Sequence, residues 1–156
     1  MKRFCILLGA ALLLCGCATS NSGKISYQDA PKGEPDDKTA IIYFMRQKVN
    51  PSMRNPQILI NDQKIGILPN NSFFWQRVEP GNKLIATEWS WDTGMGNNTL
   101  QIDIEAAQTY YLLLKQTGQV ISAGLFLSGG FTSQFFVIKE KTAQEFFAKL
   151  KFYEQK

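Results

Sequence analysis

The feature that most constrains this chain is its punctuation. From Thr39 on, turn-forming residues recur about every 8–12 positions, with short β-branched and aromatic runs between them. Such runs suit strands. Residues 40–45 read as a buried strand, and residues 57–60 and 64–68 flank Asn61-Asp62-Gln63 as a hairpin. Residues 73–78 and 83–91 read as strands on either side of Glu79-Pro80-Gly81-Asn82. There Pro presets φ and Gly accepts a positive φ, as a type II turn requires. Leu100, Ile102 and Ile104 alternate with Gln101, Asp103 and Glu105, the pattern of a half-buried strand. Residues 109–115 and 133–139 add two more. Seven to eight short strands predict a mainly β fold, an antiparallel β-sandwich or a small barrel.

The period changes near the C-terminus. Thr142 and Glu145 have capping-box spacing, and Phe146, Leu150 and Tyr153 follow at helical intervals, with Ala143 and Phe147 widening the stripe. Glu145 and Lys149 form a favourable i,i+4 pair. This predicts one C-terminal amphipathic α-helix of about 14 residues. It docks either on its own sheet, because an isolated helix that short is marginal, or on a partner.

The N-terminus carries a different signal. Met1-Lys2-Arg3 precedes an apolar run over residues 4–14. A membrane span needs about 20 apolar residues, so this run has the length of a secretory signal core. It ends in Leu14-Cys15-Gly16-Cys17, which resembles a bacterial lipobox. That resemblance implies a signal peptide over residues 1–16 and a lipidated Cys17, with acyl chains such as palmitate tying the protein to a membrane. Cys15 does not fit, because the bulky Leu14 precedes it. The alternative is an ordinary secretory signal cut elsewhere. Ala18 stands where the inner-membrane retention signal of enteric bacteria has Asp. By that analogy the protein faces the periplasm from the outer membrane. Residues 17–38, rich in Ser, Gly, Pro, Asp and Lys, read as a flexible tether, and residues 39–156 as a single domain.

Composition then narrows the chemistry. The chain has no His, and Cys5 and Cys15 leave with the signal, so the mature protein has no disulfide and lacks the usual base and metal ligands. Processing leaves 15 basic and 13 acidic residues without a Lys/Arg cluster, which argues against nucleic acid. The mature sequence has no Ser-x-x-Lys for a Ser–Lys nucleophile. Gly94-Met95-Gly96 lacks the third glycine of a dinucleotide loop and precedes a strand. No cofactor or metal is expected. Glu79, Glu88, Asp92, Asp103 and Glu105 keep a carboxylate glycan or cell-wall hydrolase open as an alternative, with Asp103 and Glu105 reading as a solvated face. The reading adopted is a non-enzymatic envelope protein that binds another envelope protein or a glycan.

Two aromatic features bear on that binding role. Trp89 and Trp91 lie two apart on an expected strand and so share a face. They form either a stacking platform for sugar rings or a core pair. Residues 116–138 carry no charge, and within them Phe126, Leu127 and Phe131 either build an interaction surface or complete the core.

Residues 40–46, residues 58–68, Asn71-Ser72-Phe73-Phe74, Val78-Glu79-Pro80-Gly81 and Gln108-Thr109-Tyr110-Tyr111 form a set of segments. Together they resemble a bacterial lipoprotein family whose domain of unknown function is numbered 2846. The resemblance runs from about Thr39 to the C-terminus. Two departures stand out. Asn61-Asp62 replaces the family's usual Asn-Gly, and Ala107-Gln108 stands where Gly commonly precedes the Tyr-Tyr strand. The family has no assigned activity, so the resemblance implies a fold class and a location and carries no catalytic residues.

Overall fold

The structure, a computed structural model, describes residues 25–49, 54–93, 95–123 and 126–155, with the backbone alone over residues 119–123 and 126–130. In chain order the strands are β1 (Ile25–Ser26), β2 (Ala40–Arg46), β3 (Gln57–Ile60), β4 (Gln63–Ile67), β5 (Ser72–Val78), β6 (Gly81–Glu88), β7 (Asn98–Ile104), β8 (Thr109–Ala123), β9 (Phe126–Ile138) and β10 (Lys151–Phe152). One helix, α1 (Glu140–Phe147), lies between β9 and β10. The expected sandwich is present. A six-stranded sheet, β1-β10-β5-β2-β8-β9, packs on a four-stranded sheet, β4-β3-β6-β7. Pairing is antiparallel except for β2 with β8 and β10 with β5.

The sequence pattern of each strand follows from which layer covers it. β2 is buried along its whole length. Ile42 and Phe44 face the second sheet with Phe74, Leu112 and Ile85. Ile41, Tyr43 and Met45 face the other way, onto a cluster that includes Ala143, Phe147 and Leu150. A strand covered on both faces needs apolar side chains throughout. β7 has one open face, and Leu100 and Ile102 pack toward the core while Gln101 and Asp103 are exposed.

Turn chemistry fixes the short connections. Asn61 and Asp62 both take positive φ, 48° and 63°, as a two-residue hairpin turn demands. Gln63 therefore belongs to β4 and not to the loop. Gly81 has φ 105°, in keeping with the expected type II turn.

Three expectations need correction. First, the capping box does not form. The helix spans Glu140–Phe147, its N-cap is Lys139 without a side-chain cap bond, and Thr142 lies inside it. The amides of Lys149 and Leu150 close on the Phe146 carbonyl, and the chain leaves the helix to form β10. Strand pairing wins there because Phe152 then sits between Ile25 and Phe73 in the sheet and is 8% exposed. The helix does dock on its own sheet, with Phe147 1% exposed. The Phe147 ring stacks on Tyr27 at 4.0 Å and meets Phe73 edge-on at 5.0 Å.

Second, residues 25–38 are not a tether. β1 pairs with β10, and Ala30 is buried. Trp75 Nε1 donates to the Pro31 carbonyl at 2.8 Å. Asp36 accepts from the amides of Lys38 and Thr39 and pairs with Arg77 at 2.7 Å. The Lys38 amide, ahead of the other donors around it, holds the Asp36 carboxyl below its usual range. The contacts are dispersed along a polar stretch, so no periodicity announces this strap.

Third, there are ten strands among the described residues, not seven or eight, and β8 and β9 run 15 and 13 residues as one long hairpin. β2 pairs with β8 only as far as Leu114, so the rest of the hairpin continues as a two-stranded ribbon.

Ala107 carries a backbone cost. Its φ is 59°, and its amide donates to the Asp36 and Thr39 carbonyls. The left-handed conformation costs an L-residue about 1–2 kcal/mol, and glycine avoids most of that. Ala107→Gly is expected to stabilise the domain by about 1 kcal/mol, read as a higher urea midpoint at unchanged slope. A lower midpoint would contradict the assigned strain.

Candidate functional site

One end of the sandwich gathers a buried arginine, a buried indole and two ion pairs. β2 ends in Arg46, whose side chain is 0% exposed. Its Nε donates to Gln116 Oε1 at 2.9 Å, and its Nη1 donates to the Leu68 carbonyl at 3.0 Å and the Arg54 carbonyl at 3.4 Å. The guanidinium lies 5.2 Å from the Trp89 ring centre, within cation–π range. Burial lowers the Arg46 pKa to about 10, which leaves it charged at neutral pH. Trp89 in turn donates Nε1 to Ser133 Oγ at 2.9 Å. Arg46 thus ties β2, the loop before β3, the end of β4 and the β8–β9 hairpin together.

Beside this cluster lies a cleft of about 410 Å³, walled in part by Arg54, Asn55, Gln57, Lys64, Glu88 and Ser90. Two ion pairs frame it. Lys64 Nζ is 2.8 Å from Glu88 Oε2, and Arg54 Nη2 is 2.7 Å from Asp92 Oδ2. The Lys64–Glu88 contact is an ion pair by distance, without an aligned hydrogen bond to Oε2.

The two tryptophans expected to share a face do not. β6 ends at Glu88, so the alternation of a strand stops before Trp89. Trp89 turns into the core at 6% exposure, and Trp91 sits in a short 3-10 turn at 94% exposure. Phe131 is half-buried against the core between the sheets. It faces Gly118 across the hairpin, where a Cβ would stand 2.5 Å from its ring. Phe126 pairs with Ala123 and Leu127 with Ser122 in the backbone register, and their side chains lie outside the described residues, as does Cys17.

The carboxylates proposed for hydrolysis divide between two ends of the molecule. Glu79, Asp103 and Glu105 cluster near the Gly81 end of β6, where Asp103 pairs with Asn82, and all three are exposed. Glu88 and Asp92 lie at the other end, each committed to a cation. Among the described residues no group of three or more Asp, Glu, His or Cys side chains is placed to hold a metal. No described helix is long and apolar enough to cross a membrane.

Sequence reasoning missed Arg46, because an Arg closing an apolar strand looks like a solvated terminus. Its fork geometry makes a specific demand. Arg46→Lys keeps the charge and loses the fan of donors, and hydrogen bonds to charged groups contribute about 1.5–3 kcal/mol. The variant is expected to lose about 2 kcal/mol of stability or more, measured by urea unfolding. Parent-like stability would show that charge alone suffices.

No solved structure matches the chain. An uncharacterized protein of Haemophilus influenzae is 24% identical over 146 residues, covering 92% of this chain and 80% of that protein. The family model described as Protein of unknown function (DUF2846) matches residues 36–125, from the strap aspartate to just past the end of β8. The chain belongs to the DUF2846 family.

Proposed function

We propose that this protein is an envelope lipoprotein whose β-sandwich has a binding or structural role and no catalytic one. The observation that carries the reading is Leu14-Cys15-Gly16-Cys17 directly after the apolar run of residues 4–14. In this reading residues 1–16 are removed, Cys17 holds the lipid, and the domain faces the periplasm from the outer membrane. The fold sets the reach of such an anchor. Because β1 begins at Ile25, residues 18–24 alone separate Cys17 from the first paired residue. Seven residues reach about 25 Å at most, so the anchor holds the domain close to the bilayer.

Several acyl chains hold a protein stably where one gives marginal attachment. Mass spectrometry of the N-terminal peptide is expected to find cleavage before Cys17 and acyl groups on it. An unmodified Cys17, or a cut elsewhere, removes the basis of the reading.

The binding element in this reading is the β8–β9 ribbon with Phe126, Leu127 and the half-buried Phe131. Its support is the uncharged stretch of residues 116–138, carried past the end of β2. Phe126→Ser and Leu127→Ser are each expected to melt like the parent and to lose crosslinks to envelope components. Neighbours on an extended chain point to opposite faces, so a core role would instead make one variant much less stable than the other.

A further inference from the structure

We infer that the cleft between Arg54 and Glu88 binds a glycan bearing N-acetylated sugars, with Trp91 as its stacking face. The inference deepens the binding role proposed above by naming a ligand class, and it does not depend on the lipid at Cys17. It starts from an indole that folding leaves unused. Trp91 is 94% exposed, whereas Trp89 is buried and Trp75 is half-buried. A bare indole leaves a large apolar face in water. Chain continuity puts Trp91 at the rim of the cleft. Ser90 is part of the wall, and Asp92 is paired with Arg54 of the same wall.

The lining then selects the ligand. The charges cancel as two pairs, Lys64 with Glu88 and Arg54 with Asp92, so the cleft has no excess charge to attract an anion or a cation. Beside the apolar Ile67 and the buried Trp89, what is left is Asn55, Gln57 and Ser90, carboxamides and a hydroxyl that both donate and accept. A sugar ring offers the complement: a C–H face for the indole and hydroxyls around its rim. An N-acetyl group adds one N–H donor and one carbonyl acceptor, which a carboxamide meets with its own acceptor and donor. The volume, about 410 Å³, falls within the range of small-molecule sites, about 300–1,000 Å³.

The test uses the full chain in detergent and calorimetric titration with chitotetraose, an N-acetylglucosamine tetramer. Saturable binding is expected, displaced from the protein by purified cell-wall sacculi. Trp91→Ala is expected to melt unchanged and to bind at least about tenfold more weakly, while Trp91→Phe retains part of the affinity. Gln57→Ala serves as a second variant, weakened in binding by loss of the amide and not of the ring. The inference is overturned if chitotetraose gives no saturable heat, or if Trp91→Ala binds as the parent does. Failure here leaves the N-terminal mass untouched, and an unlipidated Cys17 leaves the titration untouched, so the two readings fail separately.

Discussion

The structure depends on covering one strand twice. β2 has no exposed residue, so both of its faces need a partner layer. The second sheet covers one face. The other is covered by α1 and by the strap of residues 25–38, which meet where Tyr27 stacks on Phe147. Burying a large apolar side chain contributes about 1.5–3 kcal/mol. The helix and strap are therefore working parts of the domain and not appendages. β10 follows from the same demand, since it carries Phe152 into the cluster and hands the chain on to the second sheet. There Gln155 accepts from the Ile67 amide at 2.9 Å and donates to the Ile67 carbonyl at 3.0 Å. The C-terminal segment thus ties one sheet to the other.

At the Arg46 end of β2, in register with β10, a further linkage is polar. Where apolar packing runs out, Arg46 replaces it with directed bonds to three separate segments. Buried polar groups are costly unless satisfied, and here the cost is offset by fixing the loop that carries Arg54. Arg54 in turn holds Asp92. The 3-10 turn bearing Trp91 is in this way connected to the core through charge pairs and carbonyl bonds, although its indole touches solvent on nearly every side. The exposed ring stands on a braced support.

Much of this was legible in the sequence where one residue type has one physical use. Pro80-Gly81 specified its turn, and the alternation at Leu100, Ile102 and Ile104 specified a one-sided strand. The misread regions share a cause: each depends on a partner distant in sequence. Residues 128–130 fall between the strands expected at 109–115 and 133–139, yet they pair with Ile121, Val120 and Gln119 across a hairpin. Leu150 keeps helical phase with Phe147, and only the proximity of Phe73 makes a strand at Phe152 the better solution. The strap has no pattern because its anchors, Ile25, Ala30, Pro31 and Asp36, each answer a different neighbour. Trp89 and Trp91 were paired by a strand periodicity that stops one residue before the first of them. The family resemblance supplied fold class and extent, and it offered no signal for the cleft.

The long hairpin has an energetic problem that bears on its use. Past Leu114, β8 has left β2 behind, and β9 is the last strand of its sheet. Among the described residues the outer edge of β9 gains one bridge, from Met95 to Phe131. Two-stranded ribbons are marginal in water, and open edges recruit other strands unless charges blunt them. Residues 116–138 contain no such charge. The Phe131–Gly118 contact and the Met95 bridge secure the ribbon's base, but they leave the rungs from Gln119 to Ala123 beyond their reach. A ribbon of this composition is best stabilised when something else covers its edge. The hairpin and the cleft thus offer different chemistry, backbone pairing groups along an open edge in one and a neutral polar wall in the other.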